Sequence, residues 1–303
     1  MPANKTGSKS TPPKSAKPTA SKKNRPGRPK APPDPRAWML WGILGLVGAA
    51  LAAVVLVALV FPRSTKPTPK LLGHVGEKVP ASIMRNLTTV PYKVWGPIGT
   101  AAAAPPQLVK PVAHVPKAPE LLYIGAEWCP FCAAERWAMA VALSRFGTLS
   151  NLHLMQSSLT DIHPGTKTLT FYHSRYQSSN IHIAMVETAT NTHTALQAPT
   201  AAQAAIQAAY DKPPYVPSGS SGSIPFVLVG GKYLWIGAQY QPTILAGLSW
   251  SQIAADVKNP SSSVGQTILS AANELTAAIC ATDGGHPASV CQTPVIRGAE
   301  SRL

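Results

Sequence analysis

The chain has 303 residues, 45% of them hydrophobic, with 27 Lys and Arg against 12 Asp and Glu and four Cys. That length and apolar content allow one sizeable packed domain with appendages. The net charge of +15 is concentrated at one end: residues 1–70 hold 13 Lys and Arg against the single Asp34, while residues 71–303 hold 14 against 11 acids, a near-neutral balance that does not mark the remainder as a nucleic-acid binder.

Residues 1–36 are rich in Lys, Pro, Ser and Thr. They lack the apolar content to offset the entropy of ordering, so a disordered basic tail is expected. Residues 37–61 follow, 25 positions without a charge. About 20 apolar residues span a bilayer, so this segment predicts a single transmembrane helix. Trp38 and Trp41 suit its headgroup boundary. Ten Lys and Arg precede the segment, and only Arg63, Lys66 and Lys70 follow closely. The positive-inside rule then puts the tail in the cytoplasm and everything after Phe61 outside, in a single-pass cell-membrane protein. The rival is a cleaved signal peptide, whose apolar core would be only ~7–15 residues. The tail either binds anionic lipid, at ~1 kcal/mol per basic residue near the surface, or only sets orientation. All four cysteines lie beyond the span, in a compartment where disulfides persist.

Residues 62–117 read as a tether and extended linker, with a short helix over Pro80 to Leu87. Leu121 to Gly125 is apolar and short, a buried strand. Pro130 to Phe146 has apolar residues at three- and four-residue spacing and predicts a helix, with Gly147 where a C-terminal cap belongs. Asn151 to Ser157 reads as a second core strand, and Thr168 to Tyr176 and Ile181 to Glu187 as two more. A helix over Ala201 to Tyr210, a Pro/Ser/Gly loop over Pro213 to Gly222, and helices over Trp250 to Val257 and Val264 to Ala281 complete the pattern.

The chemistry concentrates in Trp128-Cys129-Pro130-Phe131-Cys132, between the first strand and its helix. Cys129 falls at the helix N-terminus, where unpaired N–H groups and the dipole favour a thiolate. Cys132 lies three residues on, on the same face, close enough to close a disulfide. Pro130 suits the first helical position because its missing N–H is not needed there. Cys129 is the candidate attacking thiol and Cys132 the resolving one. The alternatives are an inert clasp or half of a zinc site, but the chain has no second Cys-x-x-Cys and its eight His show no ligand spacing, so no metal is assigned.

At these residues the sequence resembles the thioredoxin superfamily, and Ser223-Ile224-Pro225-Phe226-Val227-Leu228-Val229-Gly230-Gly231 is similar to that family's cis-proline strand and hairpin. The resemblance covers roughly 118–258 and implies an α/β thioredoxin-like fold with a cis Ile224–Pro225 bond against the cysteines. It also implies a substrate surface of Trp128, Pro130, Phe131, Ile224 and Pro225. About 96 residues separate Cys129 from Pro225, so an insertion precedes the cis-proline strand. The acid many members carry six residues before the first cysteine is Tyr123 here, leaving Glu127, Glu135 or a water as proton acceptors. The wider layout is similar to an uncharacterised domain-of-unknown-function family of membrane-anchored thioredoxin-like proteins.

Residues 259–303 are expected to form a C-terminal helix and a tail closed by a structural disulfide, Cys280 to Cys291; the alternative is a second redox pair relaying electrons to Cys129. His173, His182 and His193 are assigned no role. The functional expectation is a membrane-anchored, extracytoplasmic thiol–disulfide oxidoreductase acting on exported proteins. Pro130-Phe131 supplies no cation between the cysteines, which favours reductase or isomerase work. No cofactor is expected, because the chain lacks a nicotinamide or flavin fingerprint, so a membrane redox partner must reset it. The alternative is a non-catalytic binding or scaffold module at the membrane surface.

Overall fold

The computed structural model describes residues 75–303. The basic tail, the 37–61 segment and the start of the tether lie outside the described residues. The described chain opens with α1 (Ala81–Thr88), α2 (Tyr92–Trp95) and β1 (Gln107–Leu108), followed by β2 (Leu121–Gly125) and α3 (Pro130–Leu143). Four short strands come next, β3 (Thr148–Ser150), β4 (His153–Gln156), β5 (Lys167–Thr170) and β6 (Arg175–Gln177), and then β7 (Ile183–Glu187) and α4 (Ala201–Tyr210). The hairpin of β8 (Phe226–Val229) and β9 (Tyr233–Ile236) precedes α5 (Trp250–Asp256), α6 (Ser263–Cys280), α7 (Ala288–Cys291) and α8 (Pro294–Glu300).

The main sheet has the order β1-β9-β8-β2-β7. β2 runs parallel to β7 and antiparallel to β8. All five β2 residues are buried, because helices cover both sides of the sheet. Leu121 and Tyr123 face a core shared with α1, α3, α5 and α6. Leu122 and Ile124 face the smaller core under Ile206, Ala209 and Tyr210 of α4. This alternation is the two-residue period of a strand, here with both faces apolar. Every residue of α3 except Phe131 is buried, which its nearly all-round apolar sequence demands.

The mixed α/β architecture stands, but one part of the expected fold is corrected. Among the described residues no helix is long and apolar enough to cross a membrane. The longest, α6, has 18 residues, and Asn273 and Glu274 are buried in its middle. Asn273 donates to the carbonyls of Trp95 and Gly99, so the apolar faces of α6 serve protein packing. The segment 37–61, where a span was expected, is not among the described residues.

Smaller differences follow from tertiary contacts. The segment read as a linker is packed: Leu87 and Trp95 enter the main core, and β1 adds an edge strand to β9. The expected second core strand, β4, pairs with β5 outside the main sheet. Thr168 to Tyr176 breaks into β5 and β6 at His173, whose positive φ of 60° turns the chain. Helix α3 ends at Leu143, short of Gly147.

Candidate active site

β2 delivers the chain into a turn, Ala126 to Trp128, that is pinned from several sides. The Ala126 carbonyl accepts Arg136 Nη2 at 2.7 Å, Glu127 N–H donates to Ala189, and Ser158 N–H donates to the Trp128 carbonyl. Two of these anchors come from loops lying between α3 and β8, so that long intervening stretch clamps the cysteine turn as well as lengthening the chain.

Cys129 is the N-cap of α3, with extended backbone angles, and its sulfur accepts the Cys132 N–H at 3.2 Å. A cap acceptor normally comes from Ser, Thr, Asp or Asn; here a sulfur takes that position and meets the positive end of the helix. Both cysteines are free thiols. A hydrogen bond from the Cys132 side chain pulls the Cys129 thiol below its ordinary range, helped by the Cys132 and Phe131 N–H groups and Arg136, against the opposing effect of burial. Burial pushes Cys132 well above its ordinary range, and the neighbouring Cys129 adds to the push. One helical turn thus separates an acidified thiol from one held neutral.

Pro225 follows a cis peptide bond from Ile224, and the Ile224 carbonyl oxygen lies 3.8 Å from Cys129 Sγ. Phe131 and Ile224 share a cleft of about 380 Å³ with Tyr215, Val216 and Ile236. Trp128 stacks on His193 at 4.9 Å, and Phe131 meets His163 edge-on at 5.8 Å. Cys129, Pro130, Cys132, Trp128, Phe131, Ile224 and Pro225 therefore gather at one place. Cys129 keeps only 3% of its surface exposed, so a partner must approach past Phe131 and Ile224. The neighbouring loop leaves Leu159 and Ile162 at 55% and 71% exposure, an apolar rim beside the site.

Cys280 and Cys291 are joined as a disulfide with Cα atoms 5.5 Å apart. A Cβ on Gly230 would collide with Thr282, two residues beyond Cys280. Gly230 follows Val229, which pairs with Leu121 at the start of β2, whereas the cysteine turn leaves the end of β2. Through Thr282, the Cys280 end of the disulfide is thus tied to the opposite end of β2 from the cysteine turn.

Beneath the cysteines lies a buried ion pair that spacing alone does not announce. Arg136 binds both carboxylate oxygens of Glu187, at 2.8 and 2.7 Å, with both side chains fully buried. Arg136 sits four residues after Cys132, on the same helix face, and Glu187 ends β7 beside Gly125. Glu187 is the acid whose charge reaches Cys132. The two acids expected as acceptors are engaged elsewhere: Glu127 accepts from Thr170 at 2.6 Å, and Glu135 accepts from the Gln239 backbone and side chain. The one sequence signal for the pair was an Arg at helical spacing from Cys132. His193 and His163 were equally silent, since their aromatic partners come from distant loops. Among the described residues no cluster of three or more His, Cys, Asp or Glu is arranged to hold a metal ion.

A family described as "Domain of unknown function (DUF929)" matches residues 111–281. The chain belongs to that family. The matched stretch of this DUF929 protein holds both free cysteines, the Arg136–Glu187 pair and the Ile224–Pro225 bond, and it ends one residue past Cys280. No curated protein and no solved structure matches the chain.

Proposed function

We propose that this DUF929 protein is a thiol–disulfide oxidoreductase with a thioredoxin-like domain, acting on cysteine-containing polypeptides outside the cytoplasm. The observation that carries the proposal is the capping of α3 by the Cys129 sulfur, opposite the Ile224 carbonyl, with Cys132 buried one turn on. The thioredoxin-like reading draws support from the order of β2, cysteine turn and α3, followed by a β8–β9 hairpin led by Pro225.

The chemistry uses two sulfurs. The Cys129 thiolate attacks a client disulfide, forming a mixed disulfide and releasing one client thiolate. Cys132 then attacks Cys129 Sγ, which closes the active-site disulfide and frees the second client sulfur. The reverse sequence oxidises a client dithiol. A second redox protein must reset the pair, and the proposed partner is membrane-bound. The apolar rim of Leu159 and Ile162 and the Tyr215–Ile236 cleft suit extended, partly unfolded clients. The Cys280–Cys291 disulfide supports an oxidising compartment.

An intermediate potential, suited to reductase or isomerase work, is part of the proposal. Pro130 and Phe131 place no cation between the sulfurs, and the charge of Arg136, which lowers both thiols, is offset in part by its pairing with Glu187, so the preference for the dithiol is moderate. A redox titration giving a potential near ~−120 mV, the strong-oxidant end of the scale, overturns that part. The test of the activity itself is insulin reduction by the full-length protein with dithiothreitol as reductant. Catalysis in the wild type and its loss in Cys129→Ser, with folding unchanged, is the expected result. One observation favours a second reading: at 3% exposure, Cys129 is nearly walled off, as in a non-catalytic binding module. An inactive wild type with a sluggish Cys129 selects that reading.

A further inference from the structure

Two buried donors beside Cys132 have no hydrogen-bond partner. The Tyr123 hydroxyl and Arg136 Nη1 are both solvent-inaccessible and both unpaired. Burying such groups unsatisfied costs ~1–3 kcal/mol each, so their persistence calls for a reason. Tyr123 is fully buried on β2, its ring edge-on to Phe171 at 5.4 Å. Its hydroxyl reaches along the strand to Gly125, where an added Cβ would run into it and stand 3.1 Å from Cys132 Sγ. Gly125 therefore leaves open the space in which phenol and sulfur approach one another. A substituted residue there would part them.

Resting on the oxidoreductase reading, we propose that the Tyr123 hydroxyl, backed by the spare Arg136 Nη1, receives the Cys132 sulfur as a thiolate when the active-site disulfide opens. An incoming thiolate attacks Cys129 Sγ. The new bond joins the incoming sulfur to Cys129, the Cys129–Cys132 bond breaks, and its electron pair stays on Cys132. No proton moves in that step, so a full negative charge appears on a buried sulfur. Donors already oriented towards developing charge lower such a barrier without reorganising. Tyr123 is suited because burial holds its proton firmly: it donates a hydrogen bond and keeps its proton. In the reduced protein Cys132 is a neutral thiol and a weak acceptor, which accounts for the idle hydroxyl.

The test follows reduction of the oxidised full-length protein by dithiothreitol, quenched with iodoacetamide and read by mass. Opening of the Cys129–Cys132 disulfide is expected to slow about tenfold or more in Tyr123→Phe, the worth of a hydrogen bond to a charged group. Alkylation of Cys129 in the reduced variant stays within about twofold of wild type, since the groups that lower its thiol most are Cys132, Arg136 and the Phe131 N–H, all kept in the variant; a general loosening of the site would change it. Opening at the wild-type rate overturns the proposal while the exchange activity stands. A wild type that forms no Cys129–Cys132 disulfide overturns both. Should Tyr123→Phe fail to fold, a fluorinated tyrosine at position 123, a stronger donor of nearly the same shape, must open the disulfide faster; an unchanged rate again overturns it.

Discussion

Cys129 gains its acidity from its immediate surroundings: the side chain and N–H of Cys132, the N–H of Phe131, and Arg136 one turn further along the helix. Because the thiolate is the nucleophile, its alkylation rate rises with pH through the thiol's own pKa and is then flat. The iodoacetamide rate is therefore expected to reach half its plateau at a lower pH than for an unperturbed cysteine thiol. In Cys132→Ala the midpoint moves upward, since the largest acidifying contact is gone. A midpoint unmoved by that substitution would mean that the Cys132 side chain does not set the acidity of Cys129, since the backbone cap from residue 132 is kept in the variant. Cys132, raised by burial and by its neighbour, stays unmodified across the same range.

Between elements, the Arg136–Glu187 pair ties the first turns of α3 to the end of β7. It also reaches the Ala126 carbonyl in the cysteine turn. A buried pair adds modest net stability over a well-packed apolar replacement, but losing one partner leaves a bare charge in the core. Glu187→Ala is thus expected to destabilise the fold by ~3–5 kcal/mol in urea unfolding. A loss under ~1 kcal/mol would mean that water or another acid takes the place of Glu187. The β4–β5 and β7–α4 loops act at the same scale. Through Ser158 and Ala189 they hold the cysteine turn, and through His163 and His193 they hold its aromatic rim.

For the molecule as a whole, the C-terminal helices complete the main core. α6 packs along α3, and Ile296 of α8 is fully buried. The disulfide closes a short loop, Cys280 to Cys291, at the end of α6, with a sequence separation of 11. Loop-closure entropy assigns it roughly 2–3 kcal/mol. Cys280→Ala with Cys291→Ala is expected to lower unfolding stability by that amount while leaving Cys129 alkylation unchanged. A change in the rate of disulfide opening at Cys129–Cys132 in that double variant would revive the relay reading.

Local signals made the cysteine turn legible. A proline at the first helical position, two cysteines three apart and an Ile-Pro before an apolar run each act within a few residues, so their geometry is written in short spacing. Strand β2, the body of α3, α4, α5 and α6 were legible for the same reason, through periodicity, whereas α7 and α8 fall in the stretch read as a disulfide-closed tail. The break at His173, the packing of the 75–117 segment and the partners of β4 depended on which surfaces the rest of the chain left uncovered, and short-range periodicity carries no information about that. The deepest part of the site was decided by tertiary structure alone. Arg136 and Glu187 stand 51 residues apart, and Cys129 and Ile224 stand 95 apart. Only folding brings such groups out of water and against one another: burial holds Cys132 neutral, while the hydrogen bonds at the helix start and Arg136 lower Cys129 against that same burial.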